Sequence, residues 1–373
     1  MFRNLKIYQS FILVLLLSFT IFASPKWTEQ QANDWYAKQP YLVGSNFVPA
    51  SAINQLEMWQ ADTFDEKRID LELGWAANLG MNTMRVFLHD LAYSQDPNGF
   101  KKRLDKFLKI CDKHKIKPML VLFDSVWDPN PQIGKQRAPR PGVHNSGWVQ
   151  SPSAKTLQNP AEYPKLEKYV KDVVGTFAKD SRINSWDLWN EPDNRNGNDY
   201  AKQDAPNKIE LVNQLLPLAF QWARSVNPTQ PLTSGVWKGD YPNKEVFDST
   251  EQIQIDNSDI ITFHSYDSAE EFEKRIKFLQ KLNRPIICTE YMARPRGNSF
   301  VGVLPMMKKY NVGAINWGFV EGKSQTNYPW DSWEKPYVEY QPWIWFHDVL
   351  RTDGTPYLRE ETDLIKRITG KTM

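Results

Sequence analysis

Cysteine and histidine are scarce in this chain, with two cysteines and five histidines among 373 residues. Cys111 and Cys288 fall in apolar surroundings, on a helix-like and a strand-like segment. Two buried free thiols are expected there, not a disulfide. The histidines (His89, His114, His144, His264, His347) are scattered, without an H-E-x-x-H pair or a Cys–Cys zinc spacing. No metal is expected, and no cofactor. Residues 193–199 are rich in Asx and Gly but lack the spacing of an EF-hand loop, so a turn is the expectation. No G-x-G-x-x-G, Walker or G-x-S-x-G pattern occurs.

An excess of charge is also missing. The formal net charge is +2, and Arg3 and Lys6 at the extreme N-terminus account for it. Without them the balance is neutral, which offers nucleic acid or an acidic surface no attraction and suits an uncharged ligand. Long hydrophobic runs are absent apart from residues 11–22, which fall short of the roughly 20 residues of a spanning helix. Two basic residues before that run, and Ala23 and Ser24 after it, describe a signal peptide over 1–24. An uncleaved N-terminal anchor is the alternative. No cysteine near the cut supports a lipid-modified leader. The expected product is a secreted or periplasmic monomer, residues 25–373, with no stable membrane insertion after cleavage.

What is abundant is aromatic: 15 Trp and 15 Tyr. Several fall in segments such as 327–333, where a purely core role is hard to assign. No linker, repeat or low-complexity block divides the chain, so one domain is expected. Short β-rich runs alternate with amphipathic stretches. Strands are predicted at 41–48, 81–89, 116–124, 183–191, 231–238, 259–266, 284–291 and 312–320. Helical periodicity covers 67–79, 100–114, 163–178, 208–226, 269–282 and 300–310. Residues 246–255 are poorly patterned, and the last helix is expected at 341–350. Eight such units predict an α/β fold, a single (β/α)8 TIM barrel. An open doubly wound sheet is the alternative, without a dinucleotide-type turn to support it. The segments after strands three and four, 125–162 and 192–207, are long, as expected of the end that carries a site.

Two strand ends bear carboxylates. The fourth strand ends in Trp189, Asn190 and Glu191, followed by Pro192, which disfavours the helical region for Glu191 and holds its carboxylate at a strand terminus. The seventh ends in Thr289, Glu290 and Tyr291. Burying an ionisable group there is costly unless it is paired. Period-two alternation puts Thr83, Arg85, Phe87 and His89 on one face of strand two. It puts Thr262, His264 and Tyr266 on one face of strand six. If those faces point inward, Arg85, His264 and Tyr266 converge on the two glutamates, and a cation and a phenol favour an ionised carboxylate. One ionised and one protonated carboxyl is the division of labour of a retaining glycosidase.

Trp-Asn-Glu-Pro at 189–192 and Thr-Glu-Tyr at 289–291, with this order of elements, resemble glycoside hydrolase clan A. The likeness is greatest to family 5-like cellulases, mannanases and xylanase-type relatives. The resemblance implies that Glu191 is the acid/base and Glu290 the nucleophile. It implies that Asn190 binds a sugar hydroxyl, that Arg85, His264 and Tyr266 support the nucleophile, and that Trp317 floors the reacting sugar. The third strand departs from the pattern, ending in Phe123, Asp124 and Ser125 without the family's histidine. His89, Trp127, Trp237 and Trp330 are further candidate substrate contacts; each could equally be solvated or fill the core. The expected partner is a neutral β-linked carbohydrate, β-glucan or β-mannan ahead of xylan. A non-catalytic sugar-binding barrel and a transglycosylase are the alternatives.

Overall fold

The computed structural model describes residues 24–372. Apart from Ser24, the expected leader lies outside the described residues. Eight parallel strands follow in chain order: β1 (Val43–Asn46), β2 (Thr83–Phe87), β3 (Met119–Asp124), β4 (Ser185–Asn190), β5 (Leu232–Thr233), β6 (Ile261–His264), β7 (Ile286–Glu290) and β8 (Gly313–Asn316). Their hydrogen-bonded order is 5-4-3-2-1-8-7-6. β5 is only two residues long, yet the gap to β6 is bridged. Val236 N donates to Thr262 O (3.1 Å) and His264 N to Val236 O (3.0 Å). The sheet is a (β/α)8 TIM barrel, as expected.

The helices after successive strands are α1 (Glu66–Asn78), α2 (Pro97–Lys113), α3 (Tyr163–Thr176), α4 (Lys208–Ser225), α5 (Ser249–Asn257), α6 (Ala269–Gln280), α7 (Phe300–Lys309) and α8 (Arg359–Thr369). Local chemistry sets their starts. Asp65 caps α1, and Asp96 caps α2 with Pro97 in its first turn. The poorly patterned stretch before β6 becomes α5 because Asp248 and Glu251 form a capping box. The helix expected at 341–350 is not there. That segment is irregular: Trp343 is 95% exposed, while Leu350 bridges to Val320 and Pro356. Its spaced aromatics mimic a helical face, but they pack as a loop and the closing helix lies further on.

Alternation sorts the strand residues as expected. Met84 and Val86 join the main core with Leu104 and Phe107 of α2, while Phe87 packs with Val121 and Trp148 inside the barrel mouth. The other end is plugged by a helix that the periodicity did not predict, Glu29–Ala37. Its Ala32 and Tyr36 bury against Met119, Ile287 and Ile315. Cys111 and Cys288 are both buried and free. No helix among the described residues is long and apolar enough to cross a membrane.

Candidate active site

The two glutamates emerge at one end of the barrel, at the C-terminal ends of β4 and β7. Glu290 is the last residue of its strand, and a register shift between Phe263 and His264 brings His264 opposite it. Such a bulge re-aims a side chain without unpairing the strand. Glu191 is just past β4 with φ of +43°. Glu191 stays out of the right-handed helical region that Pro192 disfavours, at the end of the strand. The residue sits in the left-handed region, a costly state for a non-glycine residue that persists where surroundings over-determine it. The constraints are visible: Ser125 Oγ donates to Pro192 O (2.7 Å), and Asn194 N donates to Glu191 O (2.9 Å).

Arg85 is the hub. It is fully buried and all five of its N–H donors are used. Nε and Nη2 bind Asp187 Oδ2 (3.0 and 2.8 Å), and Nη2 also binds Asn190 Oδ1 (2.7 Å). Nη1 reaches Asn46 Oδ1 (3.0 Å) and Glu290 Oε1 (2.9 Å). Tyr266 Oη donates to Glu290 Oε2 (2.8 Å). His264 corrects the expectation. Its Nδ1 lies 2.9 Å from Glu191 Oε1 and 3.5 Å from Glu290 Oε2, so it spans the pair and sits nearer the acid/base candidate. Asn194 Nδ2 donates to Glu191 Oε2 (2.6 Å).

These contacts set the protonation states. Burial pushes Glu191 up to about 7, with the Asn194 donor opposing it. Burial raises Glu290 as well, and Glu191 adds to the rise while His264, Arg85 and Tyr266 oppose it. The cation and phenol do face Glu290, but they do not outweigh burial. Because Glu290 holds the ion pair with the guanidinium, a proton retained by the pair rests on Glu191. His264 is pushed down to about 4 by burial and is neutral near pH 7. One oxygen of each glutamate and a His264 ring nitrogen all lie within 4.8 Å of one another, the one such cluster with metal-ligating spacing among the described residues. The guanidinium on Glu290 already supplies the positive charge that a cation would bring there.

The cavity above the pair, about 370 Å³, is walled by Trp127, Trp148, Trp237, Trp317 and Trp330, with Asn190 and Tyr266 also facing it. Trp317 stands edge-on to Phe87 (5.9 Å) and Trp148 (5.8 Å). Trp237 Nε1 donates to Asp193 Oδ1 (2.7 Å), and Trp330 packs edge-on to Tyr266 (5.0 Å). Trp127 is held at φ +63°, with Asn196 accepting from its N–H (3.0 Å). The Asx side chains of 193–199 are thus engaged in turn and wall contacts. His89 is not brought into the cavity. It is fully buried and its Nδ1 caps the helix Asp90–Gln95 by accepting from Leu91 N (3.1 Å).

Several site residues escaped the sequence reading. Asp124, where the family's histidine was missed, accepts from Asn190 Nδ2 (2.9 Å), Trp148 Nε1 (2.6 Å) and Val126 N (3.0 Å). It therefore orients both the amide and an aromatic wall, and burial pushes its carboxyl up to about 6. Asp187, on the interior side of β4, was the signal available for Arg85's partner. Asn46, Asn194 and Trp148 carried no motif.

A TIM barrel with paired carboxylates at the ends of strands four and seven, under a tryptophan-walled cavity, defines a glycosidase. Residues 59–322 match the family model for cellulase (glycosyl hydrolase family 5), and the chain belongs to that family. Its fold is similar to an exo-β-1,4-mannosidase from Opitutaceae bacterium strain TAV5, at 16% identity and TM-score 0.59, covering 88% of this chain and 60% of that one. It is similar to the endo-β-1,4-mannanase of Thermotoga petrophila, at 14% identity and TM-score 0.57, covering 90% of this chain and 77% of that one. The β-mannanase of the blue mussel Mytilus edulis gives 15% identity and TM-score 0.53, covering 79% and 90%. The chain thus spans less than two thirds of the first of these. No curated protein sequence matches it.

Proposed function

We propose that the protein is a retaining β-glycosidase with Glu290 as nucleophile and Glu191 as acid/base. The spacing of the carboxylates carries the reading. Oxygens within 4.8 Å leave no room for a water between nucleophile and sugar, and fit the separation of about 5–5.5 Å that goes with retention. Glu290 attacks the anomeric carbon while Glu191 gives its proton to the departing oxygen, leaving a glycosyl ester on Glu290. That step removes a negative charge beside Glu191 as Glu191 itself becomes a carboxylate. Glu191 then takes a proton from water, the hydroxide attacks the anomeric carbon, and Glu290 leaves with the electron pair of the ester bond. Arg85 and Tyr266 stabilise the carboxylate of Glu290 at the start and end of the cycle, and Asn190 keeps one amide hydrogen for a sugar hydroxyl.

The substrate is a neutral β-linked saccharide, gluco- or manno-configured. The cavity lining includes tryptophans for sugar faces and no lysine or arginine that would pair with an acidic sugar. The names of the solved neighbours put β-1,4-mannosides first among the substrates to assay. Its place of action is outside the cytoplasm, on the strength of the leader-like N-terminus. Glu290→Ala should abolish turnover while saccharide binding survives. Full activity in that variant, or an inverted product anomer by NMR, would sink the assignment.

A further inference from the structure

Three loops meet on one side of the cavity and are stitched together. From the β3 loop, Asn145 N donates to Ser324 O (2.9 Å) and His144 N to Ser332 Oγ (2.9 Å) of the β8 loop. His144 Nδ1 lies 2.9 Å from Tyr328 O, a carbonyl, so that nitrogen carries the proton. Gln325 closes the seam from the other strand of it. Its Nε2 donates to Arg140 O (2.7 Å) and Val143 O (3.0 Å), and its Oε1 accepts from Gly142 N (3.2 Å). Tyr337 N donates to Gly142 O (3.0 Å), and Gly142 sits at φ +69° where a Cβ would lie 2.2 Å from Tyr337 O. The β1 loop backs this seam. Asn54 Nδ2 donates to Gly147 O (2.9 Å), and Lys323 N donates to Ala50 O (3.1 Å).

The seam passes over β1 and β2, joining loops from strands on either side of them. Asn145, Trp148 and Trp317 form its inner face. Behind that face, over Asn46, Phe47 and Phe87, only about 20 Å³ is free, room for about one water and not a sugar. The flank bordered by Asn198 and Asp199 of the β4 loop is open. Trp127 and Trp330 pass from the catalytic cavity into an adjoining space of about 360 Å³ that Trp333 and Glu334 also line.

Orientation follows from the carboxylates. The acid, Glu191, must lie beside the leaving group, and it stands with Asn194 and Trp237 on the β4–β5 side, across the barrel from β1. A sugar held between Glu290 and Trp317 therefore points its far, non-reducing end at the seam. We infer that the enzyme is exo-acting, taking the non-reducing-end sugar into a blind pocket and releasing it as a monosaccharide. This rests on the reading of Glu191 as the acid.

The test uses β-1,4-linked manno-, gluco- and xylo-hexasaccharides labelled at the reducing end, with early products of the full chain resolved by size. Free monosaccharide together with labelled chains shortened one unit at a time is expected. Labelled di-, tri- or tetrasaccharides as first products would overturn the inference. Glu290→Ala in parallel keeps the two claims apart. Loss of turnover with internal cleavage by the wild type refutes exo action alone, whereas a fully active variant that releases monosaccharide refutes the catalytic assignment alone. Gln325→Ala, which removes three seam hydrogen bonds, should raise the ratio of oligosaccharide to monosaccharide released. An unchanged ratio in a folded variant would count against the seam as the wall.

Discussion

If Glu191 is the acid proposed above, the hydrogen bond from Asn194 sets the alkaline limit of activity, and removing it should move that limit up. Burial is the dominant influence on Glu191, and the Asn194 amide is the largest opposing one, donating at 2.6 Å to Oε2. Asn194→Ala leaves burial in place and deletes a donor that favours the carboxylate over the acid. A hydrogen bond to a charged group contributes about 1.5–3 kcal/mol. Water admitted by the truncated side chain recovers part of it, so the lower figure applies. At about 1.4 kcal/mol per pH unit, the pKa of Glu191 rises by about one unit.

The sign decides the outcome. In the proposed mechanism Glu191 works in its protonated form in the first step, so a raised pKa keeps the enzyme competent to higher pH. The profile of kcat/KM reports the free enzyme. Its descending limb, expected near 7 in the wild type, should shift upward by about one unit in Asn194→Ala, since one pH unit corresponds to about 1.4 kcal/mol. The ascending limb, governed by ionisation of Glu290, should hardly move, because Asn194 does not touch it. Asn194→Asp should shift the descending limb further, by adding a second negative charge. A descending limb that stays put or moves down in Asn194→Ala, with the thermal midpoint of unfolding unchanged, refutes the reasoning.

Three further outcomes follow from the same contacts. Asp187→Ala should cost roughly 3–5 kcal/mol of stability in urea titration, because it strips the fully buried Arg85 of the carboxylate that accepts from both its Nε and Nη2; a loss under about 1 kcal/mol would show that water or Glu290 compensates. Asp124→Asn offers one acceptor oxygen where Trp148 and Asn190 now use two, so kcat/KM should fall about tenfold, some 1.4 kcal/mol. Cys111 and Cys288 are buried with thiols raised by burial, and a thiol reagent should label neither until the protein unfolds. Native-state labelling would contradict that packing.

The regular framework was legible because it is periodic. All eight strands lie within the segments picked out by β-rich runs, and the faces assigned on strands two and six put Arg85, His264 and Tyr266 beside the glutamates. What could not be read was set by contacts between distant loops. Trp148 faces the cavity because Asp124 and Phe87 hold it, 24 and 61 positions away in the chain, inside a loop with no repeat to analyse. Asn194 meets Glu191 only because the left-handed turn at Glu191 folds the chain back. The expected helix at 341–350 failed for the same reason. Residues 344–350 satisfy their backbone against other loops, as when Phe346 N donates to Asn327 O (2.8 Å), and not within a turn of their own. His89 misled because strand alternation ends at Phe87, after which the chain turns into a helix that His89 caps.

The interior charges explain why one barrel can hold both roles. Arg85 is one positive charge between Asp187 and Glu290, with Glu191 and Asp124 close by and all four carboxyls nearly or wholly buried. The other buried cation acting on Glu191 and Asp124, Lys208, is itself paired with Asp204, so the two cations leave buried carboxylate charge in excess. Asp187 takes two of the guanidinium's hydrogen bonds from inside the barrel, where no substrate reaches, and Glu290 takes one from the cavity floor. The excess is relieved at Glu191, pushed up to about 7 by burial, while Asp124, pushed up only to about 6, is held as an acceptor by Asn190, Trp148 and the Val126 N–H. The acid and nucleophile roles proposed for Glu191 and Glu290 can coexist near neutral pH because Asp187 fixes the guanidinium against β4 with one arm free for Glu290.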